Sequence, residues 1–160
     1  MLQVADRKPL SVWDCCAGSG GKSIMLYDLN PAAEITVSDI RESILVNLEK
    51  RFSEAGISKY KSVVADLAGS PLRDGLPTFD FIIADVPCSG SGTWSRTPEQ
   101  LYYFELPGIA KYAALQKKII SNTVNHLKAG GYYLYITCSV FKKENEEAVS
   151  FIQKILGLEL

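Results

Sequence analysis

The sequence predicts an α/β fold in which a parallel β-sheet carries helices on both faces. Five apolar segments rich in β-branched or aromatic residues alternate with helical patterns, and this alternation is typical of parallel sheets. A glycine-rich turn follows the first segment, as in open, doubly wound sheets. The predicted strands are Ser11–Cys15, Glu34–Ser38, Lys61–Ala65, Phe79–Ala84 and Gly131–Ile136.

Two internal helices are predicted from apolar residues at helical spacing. One lies between the second and third strands, with a cap at Ser38 or Asp39 and a stop at Gly56. The other spans about 109–127 and ends at the break Gly130–Gly131. Their apolar stripes are Ile44, Leu45, Leu48 and Phe52 in the first helix, and Tyr112, Leu115, Ile119, Ile120 and Val124 in the second.

The last helix is predicted to open with Glu144, Glu146 and Glu147, because acidic residues favour the positive N-terminal end of a helix dipole. Right-handed crossovers, with a switch point after the first strand, then predict a Rossmann-like strand order 3-2-1-4-5. The edge beyond the fifth strand is expected to stay open, since the sequence stops after one further helix.

Length and composition predict one globular domain over residues 1–160. The chain is 47% hydrophobic and 22% charged, with a formal net charge of −1. Proteins that bind nucleic acid by themselves usually carry a positive net charge. If the substrate is RNA, we therefore expect the basic surface to be local or to lie outside this chain. No apolar run reaches the roughly 20 residues of a membrane-spanning helix, and no signal-peptide pattern opens the sequence. We therefore expect a soluble cytoplasmic protein.

The four cysteines are too few for a disulfide scaffold and lack metal-ligand spacing, so no metal is expected. Cys88 and Cys138 each end a short polar motif that follows a hydrophobic strand. Ligands of open α/β sheets bind outside the carboxyl ends of the strands, so we predict two thiols at one site and covalent chemistry there. The alternative is burial as small hydrophobic residues, which suits Cys15 and Cys16.

The glycine-rich turn, DCCAGSGGKS at Asp14–Ser23, leads directly into a helix. Its glycines let the backbone approach a ligand closely, and the helix N-terminus offers free N–H groups to a negative group. A P-loop requires glycine where Cys16 stands, and the dinucleotide fingerprint requires glycine where Ser23 stands. The turn therefore indicates a nucleotide-cofactor site of neither type, with a purely structural turn as the alternative.

Aspartates stand at the ends of four successive strands. Asp39 lies 19 residues beyond Gly20, where an acid accepts hydrogen bonds from the ribose hydroxyls of an adenosine-containing cofactor. Asp14, Asp66 and Asp85 lie at the C-terminal edges of the first, third and fourth strands. One such residue could be an ordinary helix cap, but four at one sheet edge predict a polar rim.

The segment Ser89–Gly108 interrupts the alternation of strands and helices. It contains three glycines and two prolines, and loops this long in compact domains are usually lids or binding loops. We predict that it contacts the substrate. The alternative is a connector whose Trp94 and Tyr102 pack on the surface.

Five motifs occur in a fixed order along the chain: DVPCSGSGTWSRTPE at Asp85–Glu99, LQ at Leu115–Gln116, LKAGG at Leu127–Gly131, YITCSV at Tyr135–Val140 and ENE at Glu144–Glu146. In order and spacing they resemble the Sun family of RNA cytosine-C5 methyltransferases, from about Ser11 to Phe151. That family usually reads CAAPGGK where this chain has CAGSGGK, so Ser19 replaces a proline. Its members also carry an RNA-binding extension before this domain and usually two strands after it, so the chain looks like a catalytic-domain piece.

The resemblance implies that the protein methylates C5 of cytosine in RNA, with ribosomal RNA as the expected substrate. It implies that the Cys138 thiolate adds to C6 of the base and that Cys88 helps to release the adduct. Asp85 would hold the N3/N4 edge of the base, and Lys22 would orient the substrate or polarise the site. The base must be unstacked, so a single-stranded or loop RNA is the expected partner.

The cofactor implied by the resemblance is S-adenosyl-L-methionine, lying over Gly18–Gly21 with its ribose on Asp39 and its adenine near Asp66. The residues expected to bind it are Cys16, Ala17, Gly18, Ser19, Gly20, Gly21, Lys22, Asp39, Arg41, Asp66, Asp85 and Pro87.

Three other functions are weighed against this one. An amino-group methyltransferase would carry Pro-Pro-aromatic where this chain has Pro87–Cys88. A NAD-dependent oxidoreductase needs the missing third glycine and has no use for two thiols. A non-catalytic RNA-binding or assembly domain of the same fold would not need the cysteine pair.

Overall fold

The computed structural model describes residues 9–69 and 76–159. Five parallel strands form one sheet in the order β3-β2-β1-β4-β5, which confirms the predicted order. The strands are β1 (Ser11–Asp14), β2 (Glu34–Asp39), β3 (Tyr60–Val64), β4 (Phe79–Asp85) and β5 (Leu127–Ile136).

Helices connect the strands and cover the sheet. They are α1 (Gly21–Leu29), α2 (Glu42–Glu54), α3 (Pro98–Tyr102), α4 (Pro107–Thr123) and α5 (Glu146–Leu156), with single 3₁₀ turns at Ser91–Thr93 and Val124–His126. Within the described ranges, none of these helices is both long and apolar enough to cross a membrane.

The central strand β1 supplies side chains to both halves of the core. Val12 belongs to the cluster with Leu48 and Phe52 of α2, and Trp13 belongs to the cluster with Ile82 and Ile119. Successive side chains of a strand point to opposite faces, which is why neighbours in β1 serve different layers. The sheet is therefore covered on both faces, as a parallel sheet requires.

The predicted cap of α2 was wrong. The helix starts at Glu42 after Arg41, whose side chain makes no capping hydrogen bond. Asp39 is instead the last residue of β2, and its carboxylate accepts a hydrogen bond from the Arg41 backbone N–H at 3.0 Å. The strand therefore runs one residue further than predicted, because Asp39 pairs with Val64 of β3.

The predicted boundary at Gly130–Gly131 was also wrong. Helix α4 ends at Thr123, a 3₁₀ turn follows, and β5 already begins at Leu127. The two glycines lie inside this strand, where the pairing of β4 with β5 shifts register. A Cβ on Gly131 would lie 2.8 Å from the Asp80 carbonyl oxygen, so the glycine permits a close approach of the two backbones rather than a helix stop.

Ser11, Asp80 and Lys128 link β1, β4 and β5 at their amino ends. The Ser11 hydroxyl donates to the Asp80 carboxylate at 2.6 Å, and the Lys128 ammonium donates to the same oxygen at 2.9 Å. The Ser11 hydroxyl and the Lys128 ammonium, with the Ser11 backbone N–H, lower the pKa of Asp80 to about 2.

We expect Asp80→Asn to lower the midpoint of urea unfolding at pH 7. A carboxyl whose pKa is lowered on folding stabilises the protein above its unfolded pKa, and this contribution is lost as the pH falls through the folded pKa. The difference between wild type and variant should therefore shrink between pH 4 and pH 2. Asp28→Asn, at an exposed position of α1, is the control. A difference that stays constant down to pH 2 would contradict the assignment.

Candidate active site

A cavity of about 670 Å³ opens at the carboxyl ends of the strands. Eleven of the twelve residues predicted to bind the cofactor line it, together with both predicted catalytic cysteines: Cys16, Ala17, Gly18, Ser19, Gly21, Lys22, Asp39, Arg41, Asp66, Asp85, Pro87, Cys88 and Cys138. The amino ends of the strands border a larger concavity of about 1020 Å³. None of the predicted site residues lines that concavity, so the smaller cavity is the candidate site.

Gly20 is the predicted cofactor residue that the cavity lining leaves out. It precedes α1 with φ of 80°, and its α-carbon faces α2 rather than the cavity. A Cβ there would lie 2.7 Å from Phe52 Cε1 and 2.9 Å from Leu48 Cγ. The absence of a side chain lets the turn pack against α2, and contact of Gly20 with a cofactor stays a prediction.

We expect Gly20→Ala to destabilise the protein more than Gly18→Ala. Both glycines have positive φ, but a Cβ on Gly18 would meet nothing within 4 Å. The strained backbone costs about 1–2 kcal/mol at either position. Overpacking adds about 1–3 kcal/mol at Gly20, because Phe52 and Leu48 are completely buried. Urea unfolding of both variants measures the difference, and equal losses would contradict it.

Ser19, which stands where the Sun family usually has proline, is held by a side chain of α2. The Arg51 guanidinium donates hydrogen bonds to both the carbonyl and the hydroxyl oxygen of Ser19, each at 2.7 Å. A proline would restrict the same turn through its ring. In this chain a long-range contact holds the turn instead.

Asp39 is buried and lies against the glycine-rich turn. Its carboxylate accepts hydrogen bonds from the Gly18 backbone N–H at 3.0 Å and from Arg41. Burial acts to raise the pKa of Asp39, but the hydrogen bonds from Arg41 and Gly18 outweigh it and lower that pKa. Asp39 is therefore an ionised acceptor at the cavity wall.

Asp14 is the member of the polar rim that the sequence left without a role. It is completely buried, and one carboxylate oxygen accepts a hydrogen bond from the Ser23 hydroxyl at 2.7 Å. The other oxygen, Oδ1, has no hydrogen-bond partner among the described residues. Burial raises the pKa of Asp14 to about 6. An unpartnered acceptor in the cavity wall fits a ligand that donates a hydrogen bond or carries a positive charge.

Asp66 and Asp85 occupy the other two positions of the rim. Asp66 lies beyond the end of β3, is exposed and accepts hydrogen bonds from the backbone N–H groups of Ala68 and Gly69. Asp85 ends β4 and forms an ion pair with Lys22 of α1. Both side chains of the pair are 36% exposed, so Lys22 and Asp85 remain accessible to a ligand in the cavity.

Cys88 and Cys138 meet in this cavity, as the sequence predicted. Their Sγ atoms are 3.2 Å apart although 50 residues separate them in the chain. Cys138 is exposed and Cys88 is half-buried, whereas Cys15 is completely buried. Burial, followed by the contact with Cys138, raises the pKa of Cys88 to about 11. The more exposed Cys138 is therefore better placed to attack a ligand.

The segment Ser89–Gly108 is more ordered than a simple loop. It contains a 3₁₀ turn and α3, and the Gly92 backbone N–H donates to the Cys138 carbonyl oxygen at 2.8 Å. Trp94 packs against Phe104 and Phe141, as the connector alternative assumed. Tyr102 is 84% exposed, which leaves it free for a partner. Contact with a substrate stays a prediction.

The prediction that Glu144 opens the last helix was wrong. Helix α5 starts at Glu146, and Glu144 lies just before it, completely buried. Its side chain accepts hydrogen bonds from the loop after each cysteine. Nothing in the sequence indicated that Glu144 is buried, apart from its place in the ENE motif. An acidic residue near the start of a helix normally interacts with the helix dipole, which is how Glu144 was interpreted.

Within residues 9–69 and 76–159, no group of three or more His, Cys, Asp or Glu side chains is arranged to hold a metal ion. The cavity offers two adjacent thiols, an accessible Lys–Asp pair and a rim of carboxylates. These groups favour covalent attack on an electrophilic ring.

Comparison with known proteins agrees with this arrangement. A model of the family described as "16S rRNA methyltransferase RsmB/F" matches residues 1–157, which confirms the resemblance to the Sun family. The ribosomal RNA small subunit methyltransferase B of Klebsiella pneumoniae is 32% identical over 93% of this chain and 35% of its own length. That of Escherichia coli O6:K15:H31 is 31% identical over 100% of this chain and 37% of its own length.

Solved structures give the same result for the fold. NSun6 from Pyrococcus horikoshii, crystallised with SFG, superposes with a TM-score of 0.82 at 26% identity, over 94% of this chain and 38% of that one. A methyltransferase homologue from the same organism gives a TM-score of 0.75 at 28% identity, over 92% and 46%. The chain thus spans roughly a third of the length of the curated relatives it matches.

Proposed function

Because the chain belongs to the 16S rRNA methyltransferase RsmB/F family, we propose that its cavity methylates C5 of cytosine in RNA, with ribosomal RNA as the substrate. S-adenosyl-L-methionine is the methyl donor in this proposal. The observation that carries it is the pair of sulfurs, 3.2 Å apart at the cavity. Cytosine C5 is a poor nucleophile until a thiolate adds at C6, so a thiol pair at one ring suits this reaction.

The residues of the cavity fit the cofactor. Asp39 is an ionised acceptor beside the glycine turn, as the ribose hydroxyls require. Asp14 offers from the same wall a carboxylate oxygen to which no described residue donates, which suits the ammonium group of the methionine part. When bound, the cofactor supplies an electrophilic methyl group on a sulfonium. The homologue crystallised with SFG, an S-adenosylmethionine analogue, supports the same assignment.

The two thiols take different roles in the proposed reaction. The Cys138 thiolate forms a bond to C6, and the electron pair of the C5–C6 double bond moves to C5, which then takes the methyl group. The C5 proton then passes to a base such as water, and the C5–H electron pair re-forms the C5–C6 double bond. The C–S bond breaks, and its electron pair returns to the Cys138 sulfur as thiolate. Cys88 assists this release, because it lies within contact distance of Cys138. Its raised pKa keeps it a thiol near neutral pH, so attack falls to Cys138.

Asp85 and Lys22, which line the same cavity as the cofactor residues, also act on the base. Asp85 holds the N3/N4 edge and stabilises the charge that develops when the thiolate adds. Lys22, paired with Asp85, holds that carboxylate in place and orients the substrate. The base reaches these groups only when it is unstacked, so the partner is a single-stranded or loop region of RNA.

The decisive experiment uses the full-length gene product, since this chain spans about a third of its curated relatives. The protein is incubated with S-adenosylmethionine and unmodified 16S ribosomal RNA, and 5-methylcytosine is mapped by sequencing. We expect methylation at a discrete cytosine. Tight RNA binding without any methylation would favour the non-catalytic RNA-binding domain, and methylation at an amino group would overturn the assignment to C5.

A further inference from the structure

Glu144 is a completely buried carboxylate that contacts both cysteine loops. Its Oε2 accepts a hydrogen bond from the Ser89 backbone N–H at 2.8 Å, directly after Cys88. Its Oε1 accepts a hydrogen bond from the Ser139 hydroxyl at 2.9 Å, directly after Cys138. A buried carboxylate is costly unless such donors satisfy it, so its position between the two loops requires an explanation.

Gln116 of α4 completes the contacts on the Cys88 side. It is also completely buried, and its Nε2 donates to the Pro87 carbonyl oxygen at 3.0 Å and to Glu144 Oε2 at 3.1 Å. The residues before and after Cys88 are therefore both tied to one buried pair of side chains.

Serine hydroxyls join the same two loops directly. The Oγ atoms of Ser89 and Ser139 are 3.1 Å apart, and those of Ser91 and Ser139 are 3.3 Å apart. Ser91 also accepts a hydrogen bond from the Val140 backbone N–H at 2.9 Å. The loops that follow the two thiols are therefore in direct contact, beginning with Ser89 and Ser139, one residue beyond each thiol.

On the Cys138 side, Asn145 adds a second support. Its amide donates to the Ser139 carbonyl oxygen at 2.8 Å, and the Thr137 hydroxyl donates to its Oδ1 at 2.5 Å. Residues on both sides of Cys138 are thus held by the chain around Glu144.

We propose that Glu144 is a positioning residue that sets the separation of the Cys88 and Cys138 sulfurs by binding the loop after each of them. Glu144 reaches no ligand, because it is fully enclosed. It acts through the backbone that carries the thiols. The catalytic part of this inference rests on the proposed function, whereas the effect on the sulfur separation does not.

The test of the sulfur separation is the rate at which the two thiols form a disulfide in full-length protein without RNA. Diamide is the oxidant: two thiols give up two protons and two electrons, the S–S bond forms, and the diazene becomes a hydrazine. The Cys88–Cys138 linkage is followed by peptide mass spectrometry, since Cys15 and Cys16 remain in the protein. We expect Glu144→Gln to slow the linkage at least about tenfold, because displacements of about 1 Å between reacting groups have effects of about 100-fold.

Glu144→Gln keeps the size of the side chain but replaces one acceptor oxygen with an amide donor. In one orientation the amide opposes the donors of Ser89 and Gln116, and in the other it removes the acceptor of the Ser139 hydroxyl. The matched control is Glu147→Gln, an exposed glutamate three residues further on, which should react like wild type. The affinity for S-adenosylmethionine, measured by calorimetry, should stay unchanged, because Asp39 and the glycine turn make no contact with Glu144. In Glu144→Gln, the yield of the covalent protein–RNA complex should fall below that of wild type, in parallel with the slower disulfide formation.

A folded Glu144→Gln protein that forms the disulfide at the wild-type rate would overturn the inference. If that variant fails to fold, Ser139→Ala removes the hydroxyl that donates to Oε1, together with its contacts to Ser89 and Ser91. A wild-type rate in Ser139→Ala overturns the inference equally. If wild-type protein forms no RNA complex, the proposed function fails, and the disulfide rate still decides the role of Glu144.

Discussion

Replacing Cys138 with alanine in the full-length enzyme is expected to abolish methylation, with a fall of at least about 1000-fold in the rate of methyl transfer. Without the sulfur no adduct forms at C6, so C5 stays unreactive towards the methyl donor. The measurement is incorporation of label from S-adenosylmethionine into unmodified RNA. No protein–RNA complex that survives denaturation should appear on a gel.

Cofactor binding serves as the control for this variant. The groups assigned to the cofactor, Asp14, Asp39 and the turn Gly18–Gly21, are separate side chains and backbone, so Cys138→Ala should still bind S-adenosylmethionine. Lost binding would mean that the substitution disturbs the cavity rather than the attack. Retained methylation would refute the covalent role of Cys138.

Replacing Cys88 with alanine is expected to have the opposite effect on the covalent complex. Cys138 remains free to attack, but release of the adduct loses the thiol that lies 3.2 Å away. Protein bound to RNA should therefore accumulate and survive denaturation, while turnover falls steeply. The measurement is the fraction of protein that migrates with RNA on a denaturing gel.

The double variant Cys88→Ala/Cys138→Ala provides the check on both assignments. In this double variant the covalent protein–RNA complex should no longer form, because the attacking sulfur of Cys138 is absent. A complex trapped by Cys138→Ala and not by Cys88→Ala would reverse the two roles. If neither single substitution changes methylation or trapping, the covalent mechanism fails and a binding domain becomes the better explanation.

The strand order was predictable because it follows from local and general properties of the chain. The alternation of apolar strands with helical patterns is a local signal, and right-handed crossovers leave few arrangements for a parallel sheet. The edges of the elements were less predictable. Gly130–Gly131 looked like a helix stop, but it lies in β5 because β4 approaches there.

The location of the active site was predictable for the same reason. Carboxyl ends of parallel strands meet at one edge, so Asp39, Asp85, Cys88 and Cys138 could be assigned to one cavity before their distances were known. The four aspartates proved unequal, however. Asp14 is buried, which raises its pKa, and one of its carboxylate oxygens has no hydrogen-bond partner in the part of the chain that the structure describes, whereas Asp66 is exposed.

The sequence by itself thus predicted the strand order of the sheet, the edge of the sheet at which the cavity opens, and the meeting of the two thiols at that edge. Only the tertiary structure showed which side chains hold the two loops that carry those thiols. Glu144, Gln116 and the turn residue Gly20 owe their roles to partners many positions away. Periodicity reports which face of an element a residue occupies, but the burial of a charge and its hydrogen-bond partners are set by long-range packing that no local pattern records.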